Sequence, residues 1–209
     1  MDQDASPSKP LCLGVMGGIA SGKSTVGQLL AGPEGVILDA DRLAREALES
    51  DAGRAFLRER FGPDSLGPDG KPDREALARK IFSEPEARAD LEGWIHPRVR
   101  ERIRAGLEGA RTRGVRRVVL DVPLLLENNE QHGLADLCDF LIFVDSNPDE
   151  RDARARERRG WSEGEVARRE AAQLPLEEKR ERAHFVIRNR GSLEDLDAAV
   201  RDVLSRVTT

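Results

Sequence analysis

Gly17-Gly-Ile-Ala-Ser-Gly22-Lys23-Ser24-Thr25, preceded by Leu11-Cys-Leu-Gly-Val-Met16 and followed by Val26-Gly-Gln-Leu-Leu30, decides the fold class of this sequence. The stretch satisfies the spacing G-x-x-x-x-G-K-[ST], with an apolar run ahead of it that reads as a buried strand and an amphipathic helix after it. A glycine-rich loop at such a strand-to-helix turn directs backbone N–H groups inward. The new helix adds the positive end of its dipole, so the turn suits a chain of phosphates. The spacing assigns Gly17, Gly18, Ile19, Ala20, Ser21, Gly22 and Thr25 to a triphosphate cradle, Lys23 to the β- and γ-phosphates and the Ser24 hydroxyl to Mg2+. A glycine-rich turn that binds nothing competes with this reading, and the correct flanks weigh against it.

Working outward, further strands read at Val36-Ile-Leu38, Arg117-Val-Val-Leu-Asp121, Asp139-Phe-Leu-Ile-Phe-Val144 and His184-Phe-Val-Ile187, with a last helix over residues 193–207. Apolar strands alternating with helices imply an α/β fold whose five-stranded parallel sheet is flanked by helices on both faces. Ligands of such sheets gather at the carboxyl ends of the strands. From Asp41 to Gly114 the pattern is helical, broken at Gly62-Pro63 and Gly67-Pro-Asp-Gly70, which marks an insertion between the second and third strands. Ile95, Val99, Ile103 and Leu107 recur every four residues as one packed helix face.

At 209 residues and a net charge of −5, the chain fits one domain with an insertion and argues against a nucleic-acid partner. No apolar run approaches a membrane span, and residues 1–10 read as a polar, disordered lead-in to a cytoplasmic protein with no obligate protein partner evident. Cys12 and Cys138 both fall within predicted strands, which favours buried thiols over a disulfide or metal pair.

Two further constellations carry chemistry. Asp39-Ala-Asp41 closes the second strand, where a carboxylate could deprotonate an acceptor hydroxyl or orient Mg2+; either residue could instead cap the next helix. Asp121 ends the third strand, where it would support Mg2+ through a water or simply form a turn. Residues 149–159 form an arginine-rich helix on which Arg154 and Arg158, four apart, share a face suited to a lid that neutralises a transferring phosphoryl group. For most of the other arginines a solvated face is the better reading.

The phosphate loop, Asp39-Ala-Asp41 with Arg45 behind it, Ile95-His96-Pro97, Asp121-Val-Pro-Leu-Leu-Leu-Glu127, Gln173-Leu-Pro175 and Val186-Ile-Arg-Asn189-Arg-Gly191 resemble, in order and spacing, the dephospho-CoA kinases. The resemblance covers nearly all of the chain from Leu11. It implies a P-loop kinase domain over residues 11–209, with a nucleotide-binding core of 11–40, 115–148 and 184–209. The helical acceptor-binding insertion would span 41–114 and the lid 149–183. The implied reaction is transfer of the ATP γ-phosphate to the ribose 3′-hydroxyl of dephospho-CoA, with Mg2+, completing coenzyme A synthesis. By the same resemblance Asp41 is the base and Lys23, Arg154 and Arg158 serve the transferred phosphate. Asn189 and Gly191 meet the adenine of ATP, and Asp39, Arg45 and His96 meet the acceptor. Met16 and Ala20 depart from the family, which usually has Thr and Gly there.

Two readings from other classes stay in view. A GTP-dependent switch lacks its guanine-reading Asn-Lys-x-Asp, and the one nearby Asp-x-x-Gly, Asp64-Ser-Leu-Gly67, lies in a turn of the insertion. A P-loop regulator, or a kinase for another small alcohol or nucleotide, is separable only by its acceptor. Pro97 also suits the first position of a helix, which would leave His96 ending the segment before it.

Overall fold

The apolar runs pair side by side into one sheet. In the structure, a computed structural model that describes residues 9–207, they are β1 (Leu11–Gly17), β2 (Val36–Asp39), β3 (Arg117–Asp121), β4 (Phe140–Asp145) and β5 (Phe185–Arg188). All pairings are parallel and the order is β2-β3-β1-β4-β5, so the loop-bearing strand β1 is central. Alternation along the strands sends Leu13 and Val15 of β1, Val119 of β3, Ile142 and Val144 of β4 and Ile187 of β5 to one face. There they meet Val26 and Leu30 of α1 (Lys23–Ala31) and Leu196, Val200 and Val203 of α10 (Leu193–Val207). Each such side chain removed from water contributes about 1.5–3 kcal/mol, which makes this layer the anchor of the phosphate loop.

The chain divides into two units: one takes in the chain up to Asp39 and from Gly106 onward, the other Ala40–Ala105. The second is helical, built from α2 (Ala40–Glu49), α3 (Asp51–Phe61), α4 (Arg74–Ser83) and the first part of α5 (Pro85–Thr112). Ser50 and Asp73 cap α3 and α4 by accepting backbone N–H groups, from Gly53 and from Glu75 and Ala76 respectively. Leu57, Phe61, Leu77 and Ala87 form its core, and Trp94 stacks on Phe56 at 4.8 Å between ring centres. The expected break at Pro97 does not occur, because α5 runs through it, held by Ala87 on one side and by Val99 and Ile103 on the other.

In the first unit, α6 (Asn129–His132) and a short 3-10 turn over Ala135–Leu137 lead into β4. Cys138, expected within a strand, lies instead at the end of that turn, while Asp139 accepts the Cys12 N–H at 2.8 Å. Cys12 is buried and Cys138 half-buried; both are free thiols, and the neighbouring Cys12 thiol, together with burial, pushes the Cys138 thiol up from its ordinary value. Three helices follow β4: α7 (Pro148–Arg159), α8 (Glu165–Glu170) and α9 (Leu176–Glu181). The expected lead-in lies outside the described residues up to Ser8; Lys9 pairs with Asp139 at 2.7 Å and Pro10 is buried. Among the described residues no helix is long and apolar enough to cross a membrane.

Candidate active site

Strand register gathers the first carboxylates. Asp121 of β3 lies level with Val15 of β1 and with Asp39 of β2, so Asp39 and Asp121 end their strands at the sheet edge from which residues 17–22 emerge. At that edge Ser24 Oγ donates to Asp121 Oδ2 at 3.2 Å. A hydroxyl and a carboxylate side by side are oxygen ligands of the kind Mg2+ takes, directly or through its waters, so this pair fits the metal.

Lys23 folds back over the loop it follows. Its Nζ donates to the carbonyls of Gly17 at 3.2 Å and Gly18 at 2.8 Å. Burial of that ammonium lowers its pKa from 10.5 to about 8; Lys179 pushes the same way, against the pull of Asp121 and Glu170. Ala20 holds φ 57°, a left-handed conformation that a side chain adopts at a cost of about 1 kcal/mol or more. Gly22, at φ 93°, leaves room for Asn189, whose Nδ2 a Cβ there would strike. Asn189 Nδ2 donates to the Ser21 carbonyl at 2.8 Å and its backbone N–H to Asp145 at 2.7 Å, so this residue braces the loop from the end of β5. Gly191 is exposed, just ahead of the Ser192–Asp195 cap of α10.

Asn147 caps α7 by accepting the Asp149 N–H at 2.9 Å, and Gly160 ends it at φ 64°. On α7, Arg154 pairs with Glu150 at 2.8 Å and donates to the Ala20 carbonyl at 3.4 Å, while Arg158 is exposed in the last turn. Reading most arginines as solvated fails at Arg151, which is 6% exposed and paired with Glu170 of α8 at 2.5 Å. Lys179 of α9 is likewise buried; it pairs with Glu127 at 2.5 Å and donates to Gln173 at 3.2 Å, beside a small cleft lined by Met16 and Gly17. Sequence reasoning missed Arg151, Glu170 and Lys179, because a charged residue on a short polar helix carries no local sign of a partner far along the chain.

In the helical unit, Asp41 is the second residue of α2, and Arg45 follows one turn later on the same face; both are exposed. His96 is an exposed residue of α5, two positions from Arg98, which stacks over Trp94 at 3.8 Å.

A family model described as dephospho-CoA kinase matches residues 11–195. A dephospho-CoA kinase of Corynebacterium glutamicum is 39% identical over 198 residues, covering 94% of this chain and all of the relative. A crystal structure from Thermus thermophilus superposes with a TM-score of 0.78 at 39% identity, over 97% of this chain and 100% of that one. A dephospho-CoA kinase from Campylobacter jejuni shares the fold, with a TM-score of 0.68 at 23% identity over 96% of this chain and 98% of its own.

Proposed function

The chain belongs to the dephospho-CoA kinase family, and from that premise we propose how its residues carry phosphate from ATP to the ribose 3′-hydroxyl of dephospho-CoA, giving coenzyme A and ADP. The observation that carries the proposal is the loop over residues 17–25 at the end of the central strand, with the Ser24 hydroxyl on the Asp121 carboxylate beside it. Phosphoryl transfer asks a protein chiefly for positioning and for charge around the moving group, and these residues are of the types that supply both.

The N–H groups of the loop other than that of Ile19, which Glu170 takes, and the N-terminus of α1 cradle the phosphates, and Lys23 exchanges its two loop carbonyls for phosphate oxygens. Ser24 and Asp121 would hold Mg2+, which would neutralise charge on the phosphates. Asp41 accepts the 3′-hydroxyl proton, and Asp39 orients the acceptor or the metal's water shell. Arg45 and His96, both exposed in the helical unit, meet the acceptor. Asn189 and Gly191 border the adenine, Asn189 while bracing Ser21. The setting is cytoplasmic, which two free thiols suit.

Turnover tests the acceptor. The kcat/KM for dephospho-CoA is expected to exceed those for shikimate, gluconate and nucleoside monophosphates by orders of magnitude; comparable turnover of any of these would reject dephospho-CoA as the substrate. The lid is tested separately. Arg154→Ala and Arg158→Ala should each lower kcat about tenfold or more with little change in the dephospho-CoA KM, because the charge they meet develops in the transition state. A variant that raised only the acceptor KM would remove that arginine from the lid.

A further inference from the structure

We infer that Glu170, held in place by Arg151, is a positioning residue that sets the phosphate loop for ATP. The inference rests on reading residues 17–25 as the ATP cradle. Glu170 Oε1 accepts the backbone N–H of Ile19 at 2.6 Å, and the same oxygen takes Arg151 Nη1 at 2.5 Å. Arg151 Nη1 also reaches the Ile19 carbonyl at 3.5 Å. Ile19 is therefore gripped at its N–H by α8 and touched at its carbonyl, in the next peptide group, by α7. The approach is close: a Cβ on Gly18 would strike both the Arg151 guanidinium and Glu170.

A carboxylate beside a triphosphate site would by itself repel the ligand. Arg151 cancels that charge at its source, and the pair is largely removed from water, with side-chain exposures of 7% and 14%. What remains is an acceptor that fixes one loop N–H away from the phosphates. Immediately after it, Ala20 turns at φ 57° and the chain runs on to Lys23, whose ammonium holds the carbonyls of Gly17 and Gly18. The loop is thus pinned from the lid side at Ile19, and this contact, unlike those of Lys23, need not break when phosphate binds. A loop ordered in advance loses less freedom on binding and so binds more tightly.

The experiment compares two neutral double variants, since neutral replacement of a buried ion pair is commonly tolerated whereas removal of one partner is not. R151M/E170Q keeps an acceptor for the Ile19 N–H; R151M/E170L does not. ATP binding by calorimetry, without acceptor, is expected to be about tenfold weaker in R151M/E170L than in R151M/E170Q, as for loss of one hydrogen bond to a half-buried donor. The dephospho-CoA KM should be the same in both. E170Q alone adds a control: its melting temperature falls because Arg151 is left without its carboxylate, while its ATP Kd stays nearer that of R151M/E170Q. Equal ATP affinity in the two double variants, or a matching loss in dephospho-CoA KM, overturns the assignment of Glu170. Failure of the parent protein to bind ATP overturns the cradle reading itself.

Discussion

Asp41→Asn is expected to lower kcat about 10²- to 10⁴-fold while ATP and dephospho-CoA still bind. The substitution keeps the size of the side chain but removes its negative charge and its capacity to take a proton. Asp41 is exposed in the first turn of α2, two residues beyond the end of β2, so its carboxylate need not be desolvated to act. Asp39, the last residue of β2 and level with Asp121, is expected to act through orientation or the metal's water shell. Asp39→Asn should therefore be milder and partly rescued by higher Mg2+. A helix-capping role predicts something different, a loss of about 0.5–2 kcal/mol in stability with near-normal turnover. Measuring kcat, substrate binding and melting temperature for both variants separates the two: an Asp41→Asn enzyme that melts earlier yet turns over normally would leave Asp41 a cap and not a base.

Why the loop, the sheet and the last helix were legible while the contacts of Arg151 and Glu170 on α7 and α8 were not follows from where each signal lies. Strands β1, β3 and β4 are unbroken apolar runs because both faces of a parallel sheet are covered, and the glycine spacing between β1 and α1 is local, so a short window contains the whole pattern. The helix Leu193–Val207 carries its own period, with Leu196, Val200 and Val203 buried on one face. Glu170 meets Ile19 across 151 positions of chain, and nothing in Glu165-Val-Ala-Arg-Arg-Glu170 distinguishes it from a solvated helix. The segment around Pro97 misleads for the opposite reason. Its local signal favours a helix start, but a long helix anchored at both ends absorbs the loss of one N–H. After Cys138 the strand begins at Phe140, one residue later than the run from Asp139 suggests, since the Asp139 carboxylate accepts the Cys12 N–H and pairs with Lys9.

Lys23→Ala should lower turnover about 10²-fold or more, because it removes the charge proposed to meet the β- and γ-phosphates. The motif alone suggests a solvent-facing lysine whose loss leaves the fold intact, but the structure half-buries this side chain. The structure adds a second role, since its ammonium ties Gly17 and Gly18. The folded protein should survive the substitution, because the core beneath the loop is built from β1, α1 and α10 without Lys23. The lowered pKa gives a sharper test. Lys23 holds its proton below about 8 when folded and below 10.5 when unfolded, so between those values the unfolded chain binds more protons. Stability of the ligand-free protein should therefore rise with pH through that window, and Lys23→Ala should flatten the rise. ATP needs the charged form. Above pH 8 its binding should draw in a proton and weaken as the pH climbs, which calorimetry in buffers of different ionisation heats detects directly. Proton uptake that persisted in Lys23→Ala, or turnover within a few-fold of the parent, would take Lys23 out of the phosphate site.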